Sequence, residues 1–358
     1  MPAASPLSAP HVAIAGATGA VGEEFLRVLH ERGFPIGKLT LLASARSAGK
    51  TLDFAGQTHI CQELTEDCFR GVDLALFSAG GSISKKFAPA AVDAGAVVVD
   101  NSSAFRMTGG VPLVVPEVNP EAIQDAGIAL GQPRGGIIAN PNCSTIIMLL
   151  AVTPIHRAVG VRRIVVSTYQ AASGAGAAAM RELEQQSREA LAAPGATGEV
   201  TTRDIFPFQY AFNLFSHNSP MQPNGYNQEE LKMVHETHKI WGQAAENTQT
   251  QITATCVRVP VMRAHAESIN LTLEKPLTED QARDLLAAAP GVSLIDDRDA
   301  NRFPTPLDAT HQDDVFVGRI RRDVSQPDGT GLDLFVCGDQ VRKGAALNAV
   351  QIAELLLK

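Results

Sequence analysis

The run HVAIAG (11–16) passes directly into GATGAVG (16–22) and then into EEFLRVLHERG (23–33). An apolar run, a glycine-rich turn and a helical apolar period in immediate succession make the βα unit of a parallel sheet. The pattern continues. KLTLLAS (38–44) and VDLALFSAGG (72–81) read as strands, SKKFAPAAVDAG (84–95) as a helix and AVVVDNS (96–102) as another strand. Strands that are apolar throughout, rather than alternating, demand cover on both faces. The first third therefore predicts a doubly wound, Rossmann-like parallel sheet.

After residue 143 the texture changes. A helix is expected over 144–158, a strand at RRIVVSTYQ (162–170) and a long helix through MRELEQQSREALAA (180–193). A stretch rich in Pro, Asn and Gly around 216–227 precedes the helix QEELKMVHETHKIWG (228–242). ITATCVRVPV (252–261), HAESINLTLE (265–274), DVFVGRIRRDV (314–324) and GLDLFVCGD (331–339) alternate apolar and polar residues. That alternation predicts an α+β domain whose sheet is mixed and largely antiparallel, with helices on one face. The last helix, RKGAALNAVQIAELLLK (342–358), reads as amphipathic and is expected to return to the first domain. At 358 residues the chain is too long for one ordinary core. The expected division is 1–142 completed by 340–358, and 143–339. No internal repeat or low-complexity segment interrupts it.

Charge narrows the partners. With 19% charged residues, 45% apolar residues and a net charge of −8, the chain is globular and poorly suited to nucleic acid or an anionic membrane. An anionic small ligand needs a local cluster of Arg and Lys. The apolar run Ile146–Val152 is far short of a membrane span. The opening MPAASPLSAP (1–10) lacks a basic region and an apolar core, so it reads as a Pro-rich leader rather than a secretion signal. Five cysteines without CxxC or metal-like spacing point to free thiols in a reducing cytoplasm, and no metal site is expected.

Within GATGAVG, Gly16 allows a tight turn, Gly19 lets backbone approach a pyrophosphate, and Gly22 permits close helix–sheet packing; Thr18, Ala20 and Val21 complete the loop. The second strand ends in SARSAGK (44–50), where an NAD site usually carries an acid for the ribose 2′-hydroxyl. No acid is there. Ser44, Arg46 and Ser47 are donors suited to a 2′-phosphate, so NADP (as NADPH) is the expected cofactor. The polar turn SAGGS (78–82) falls where a third strand ends and is a further candidate lining.

Cys143 stands between Asn-Pro-Asn and an apolar helix. A free thiol with a pKa of about 8.5 is only about 3% thiolate at pH 7. A helix N-terminus adds about 0.3–1 kcal/mol, less than one pKa unit. A nucleophilic role therefore requires a histidine or another cation nearby. Of the nine histidines, His265 has the most suggestive company, closing RVPVMRAH (258–265) behind two arginines. In a continuous strand, Arg258 and His265 share a face only if Pro260 bends the chain. Taken alone, Glu229 and Lys232 are an ordinary i, i+3 helix pair, and Asn142 is an Asx-turn residue.

NPNCST (140–145), STYQAASGAG (167–176), EELKM (229–233), RVPVMRAH (258–265) and GDQVRKGAALNAVQIAE (338–354), together with GATGAVG and SARSAGK, resemble the aspartate-semialdehyde dehydrogenase family. The resemblance spans nearly the whole chain in order. It implies that Cys143 is the nucleophile that forms a thioester, His265 the acid/base, and Gln170 the residue that orients the intermediate. It assigns Arg258 to the substrate carboxylate and Glu229 to the substrate amino group. Lys232, Arg106 (in NSSAFRM, 101–107) and Asn142 are assigned to phosphate. Ser173, Gly174 and Gln340 are assigned to the cofactor. The implied reaction is NADPH-dependent conversion of L-aspartyl 4-phosphate to the semialdehyde plus inorganic phosphate, serving lysine, diaminopimelate, methionine and threonine biosynthesis, in a homodimer or homotetramer. A sister acyl-phosphate reductase, such as N-acetyl-glutamyl-phosphate reductase, and a catalytically silent nucleotide-binding paralogue are the alternatives. The Gly/Pro-rich GIALGQPRGG (127–136) receives no role.

Overall fold

Apolar strands need cover on both faces, and in the first unit a sheet between two helical layers supplies it. A computed structural model describes residues 9–192, 199–243, 250–326 and 328–358. Most of the expected leader, residues 1–8, and Ala193 at the end of an expected helix lie outside the described residues. The chain forms two compact units, one running to Asn142 and resuming at Ala345–Lys358, the other Cys143–Gly344. Residues 340–344, read from sequence as part of the returning segment, lie in the second unit.

The first unit comprises β1 (His11–Ala15), α1 (Ala20–Glu31), β2 (Lys38–Ala43), β3 (Thr51–Phe54), β4 (Gln57–Ile60) and β5 (Gln62–Glu63). It continues through β6 (Leu74–Phe77), α2 (Gly81–Asp93), β7 (Val97–Asp100), α3 (Ala122–Asp125) and β8 (Ile137–Ala139). Six strands pair in parallel in the order β5-β2-β1-β6-β7-β8. Val12 and Ile14 face Phe25, Val28 and Leu29 of α1. Ala13 and Ala15 face the opposite layer, with Ala88 and Ala91 of α2. From β1 the chain goes first to β2 on one side and later to β6 on the other. That reversal leaves a crevice at the carboxyl end of β1, where the 16–22 turn lies.

The reading of the sequence passed over the β3–β4 hairpin. Ala55 (φ 50°) and Gly56 (φ 78°) form its turn, the two-positive-φ geometry that matches hairpin twist. The 127–136 loop wraps the α2–β7 corner so closely that a Cβ on Gly135 would fall 1.8 Å from the carbonyl oxygen of Ala96.

The second unit comprises α4 (Cys143–Val159), β9 (Val161–Gln170), α5 (Ala177–Ala192), β10 (Phe215–Ser216), α6 (Gln228–Ile240) and β11 (Gln251–Arg258). It continues through β12 (His265–Leu273), α7 (Glu279–Ala287), β13 (Val292–Leu294), α8 (Pro306–Ala309), β14 (Val315–Arg322) and β15 (Gly331–Gly338). The seven strands run β10-β11-β9-β12-β15-β14-β13. The pairs β11–β9 and β13–β14 are parallel and the others antiparallel, which is the mixed sheet the alternation predicted. Alternate residues of β9 and β12, including Ile164, Val166, Ile269 and Leu271, are buried.

The chain then rejoins the first unit as α9 (Leu347–Leu355). The expected one-sided amphipathic helix is corrected here. Leu347, Asn348, Ala349, Val350, Ile352 and Ala353 are all buried, because α9 packs against both α1 and β7. A π-helical turn, Arg342–Ala346, precedes it. No helix of the described residues is long and apolar enough to cross a membrane. Leu347→Ala, which empties a core position, should lower unfolding free energy by about 2–5 kcal/mol in urea titration. A loss under about 0.5 kcal/mol would show that α9 is peripheral.

Candidate active site

The first unit carries the glycine loop. Gly16 has φ +88° and a Cβ there would lie 2.4 Å from the carbonyl oxygen of Ser78, while a Cβ on Gly22 would lie 2.2 Å from that of Gly16. Side chains are thus excluded at both places, and α1 starts after Gly19 without a side-chain cap. Thr18, Ala20 and Val21 fill the turn between these glycines. An uncapped helix start with close glycine backbone suits a pyrophosphate. At the end of β2, Ser44 and Arg46 are exposed, whereas Ser47 is buried in a short 3₁₀ turn, Ala45–Ser47.

Arg106 is buried in the same unit. Its Nε donates to the carbonyl of Asn140 (2.9 Å) and an Nη donates to that of Asn101 (2.8 Å). Asn348 of α9 donates to the Asn140 Oδ1 (2.6 Å) and the Val114 carbonyl (3.0 Å). The Asn-Pro-Asn turn is therefore tied from two sides, and buried Asn142 ends it immediately before Cys143.

The second unit gathers the remaining candidate residues. The run 258–265 is not one strand: Arg258 ends β11, His265 begins β12, and β9 lies between these strands. Arg258 pairs directly with Gln170, and Ala266 with Tyr169. Arg258, Gln170 and His265 consequently lie at neighbouring strand ends on the buried face. Pro260 belongs to the connection, so the bend expected to align them is unnecessary.

Hydrogen bonds link these residues. Gln170 Nε2 donates to Ser144 Oγ and Thr168 Oγ1, both at 3.2 Å, and to Glu229 Oε1 at 3.5 Å. Arg258 Nη1 donates to the Ala171 carbonyl (3.1 Å) and to Gln170 Oε1 (3.5 Å). Lys232 Nζ meets Glu229 Oε2 at 2.9 Å. Cys143 is partly exposed at the first residue of α4, beside Ser144. Ser173 and Gly174 follow β9 in a 3₁₀ turn, and Gln340 is buried with its amide engaged inside this unit.

Burial and charge act together on the imidazole and guanidinium at these strand ends. His265 is wholly buried, and desolvation, then the charge of Arg258, push its pKa well below the usual range. Its Nδ1 accepts the Ala171 N–H at 3.0 Å, so the neutral ring carries its proton on Nε2. Arg258 is a cation whose field includes Cys143. Beneath the Arg258–Gln170–His265 row, Glu267 is also fully buried, and burial raises its pKa well above the usual carboxylate range.

His217 was missed among the histidines of polar loops. It lies in the fields of Arg258, Glu229 and Lys232, and its Nδ1 accepts the Ser219 N–H at 3.1 Å. Neither contact leaves a spacing signal in the sequence. Among the described residues, no group of three or more His, Cys, Asp or Glu is arranged to hold a metal.

A family model described as the semialdehyde dehydrogenase NAD binding domain matches residues 11–126, and one described as the semialdehyde dehydrogenase dimerisation domain matches 152–343. An aspartate-semialdehyde dehydrogenase of Synechocystis is 56% identical over 97% of both chains. The crystal structure of aspartate semialdehyde dehydrogenase II from Vibrio cholerae, complexed with ASA, superposes with a TM-score of 0.88 at 47% identity and covers 98% of both chains. A structure of the Candida albicans enzyme with NADP gives 0.73 at 25% identity, again over 98% of both.

Burial pushes the His217 pKa from 6.5 down to about 4. Between those values the unfolded chain binds a proton that the folded chain refuses, so stability is full above pH 6.5 and falls as pH drops toward 4. His217→Gln should remove up to about 3 kcal/mol of that acid loss, read from denaturation midpoints at pH 7 and 4.5. Equal acid sensitivity in both proteins would exclude His217 as the cause.

Proposed function

The chain belongs to the aspartate-semialdehyde dehydrogenase family, and on that premise we propose that it reduces L-aspartyl 4-phosphate to aspartate 4-semialdehyde and phosphate with NADPH. The observation that carries the reading is the gathering of Cys143 with Gln170, Arg258 and His265 in one unit.

The Cys143 thiolate attacks the acyl carbon. The carbon–oxygen bond to phosphate breaks, leaving a thioester on the sulfur. Arg258 takes the substrate α-carboxylate through its planar guanidinium, and Glu229 takes the amino group. Lys232, Arg106 and Asn142 are the proposed phosphate ligands. Gln170 orients the thioester carbonyl. NADPH, when bound, supplies a hydride to that carbon. His265 then donates from Nε2 to the oxyanion of the hemithioacetal, a role that its occupied Nδ1 and neutral ring support. Collapse of the oxyanion to the aldehyde returns the thiolate. Cys143→Ala should lower turnover at least about a thousandfold, followed as NADPH absorbance at saturating substrate. Near-normal turnover would remove Cys143 from the nucleophile's place.

For the cofactor, the fit rests on the glycine cradle around residues 16–22 and on the donors Ser44, Arg46 and Ser47. The relative bound to NADP supports the same choice. Arg46→Ala should reduce kcat/KM with NADPH about tenfold and with NADH less than about twofold. Equal losses with both cofactors would sink the 2′-phosphate assignment. Ser173 and Gly174 are proposed on the nicotinamide side, backed by Gln340, whose amide donates to Ser173 Oγ and accepts the Ala264 N–H. We place the enzyme in the cytoplasm, as a homodimer or homotetramer assembled through the second unit, in the biosynthesis of lysine, diaminopimelate, methionine, threonine and isoleucine.

A further inference from the structure

His265 opens β12 after an unusual residue. Ala264 is fully buried and has φ +71°, the left-handed region that any side chain with a Cβ disfavours. Such a conformation persists only where neighbours hold it, and here consecutive residues of one turn do so. Asp339 Oδ2 accepts from Arg263 Nε at 2.6 Å. Gln340 Oε1 accepts from the Ala264 N–H at 3.0 Å. Asp339 is itself fixed, because its carboxylate also accepts the N–H groups of His311 (2.7 Å), Val341 and Arg342 (both 3.0 Å).

The other end of the Gln340 amide is equally committed. Its Nε2 donates to Ser173 Oγ, and the side chain is 3% exposed. Ser173 leads into Gly174, which packs on the Arg258 guanidinium and the His265 ring. A Cβ on Gly174 would lie 2.8 Å from Arg258 Nη1, 2.9 Å from His265 Cε1 and 3.1 Å from His265 Nε2. The same turn reaches the nucleophile. Gly344 N–H donates to the Asp339 carbonyl at 3.0 Å, and a Cβ on Gly344 would lie 2.7 Å from Cys143 Cβ.

We propose that Gln340 is a positioning residue, a buried amide brace that joins the strained backbone before His265 to the turn lying against its ring. The proposal rests on the reading in which His265 serves the reaction. Family resemblance puts Gln340 beside the cofactor; the structure gives its amide a second task, with both ends used within the protein. Arg258 and His265 depend on this brace for their mutual placement, because Gly174 touches both.

The test follows semialdehyde oxidation by the full-length enzyme and NADPH binding by fluorescence without substrate. Gln340→Ala should lower kcat about 10- to 100-fold, the scale of a small misplacement at a reacting centre. The semialdehyde KM should stay within about threefold and the NADPH dissociation constant within about twofold, because chemistry rather than binding is disturbed. Gln340→Asn keeps the amide, shortens its reach and should behave alike, which guards against simple loss of fold. Ala264→Gly should be nearly silent alone. In the Gln340→Ala background it should recover at least about fivefold of kcat, since glycine adopts the left-handed backbone unaided. Weakened NADPH binding with unchanged kcat, or no recovery by the glycine, would overturn the brace. The ring resonances of His265, read by NMR of histidine-labelled protein, should move in Gln340→Ala and return in the double variant. That readout needs no turnover, so an inactive wild type would count against the functional reading while the brace is still judged.

Discussion

The candidate site depends on the register of β9 between its two neighbours. β9 and β11 run parallel and end together at Gln170 and Arg258, while β12 runs the other way and begins at His265. A slip of one residue in either ladder would send one of these side chains to the opposite face of the sheet. The rows beneath prevent it. Ala254, Val166, Ile269 and Leu334 form one cross-strand row of buried apolar groups, and Ile164, Leu271 and Leu332, with half-buried Ile252, form the next. Hydrophobic burial far from the chemistry thus fixes where a guanidinium, an amide and an imidazole meet.

A single buried cation organises the charges around that meeting point. Arg258 is 4% exposed, and a guanidinium so desolvated requires partners. It donates to the Ala171 carbonyl, Gln170 Oε1 and Asn218 Oδ1, with Glu229 in its field. Its charge helps keep both His265 and His217 neutral. The chain is acidic as a whole, yet two cations, Arg258 and Lys232, both act on the buried ring of His217. Local pairing, not net charge, decides what such a site attracts.

Much of the architecture was legible because periodicity reports burial directly. The continuous apolar runs of β1, β6 and β7 announced a sheet covered on both faces, and the alternation after residue 250 announced a mixed one. The β3–β4 hairpin escaped because its strands are short and half exposed, so no apolar period marks them. Cys143, Gln170, Arg258 and His265 could be named from their motifs, but their proximity could not. It arises from strand order, which brings residues 170, 258 and 265 together through pairing across β9. Likewise, nothing in the sequence distinguished Ala264 as left-handed or His217 as a neighbour of Arg258, since both conditions are imposed by tertiary contacts.

The returning helix has a consequence for synthesis. Residues 345–358 complete a unit whose other strands and helices were all made before residue 143, and the whole of the second unit intervenes. A ribosome adding about 5–20 residues per second therefore finishes the second unit first. Until α9 emerges, the β1–β6–β7 layer lacks the cover of Leu347 and Val350, and Asn348 is not yet there to secure Asn140. The nascent chain thus carries an open apolar seam for many seconds. The turn leading to Cys143 receives its last fastening only when nearly everything else has been built.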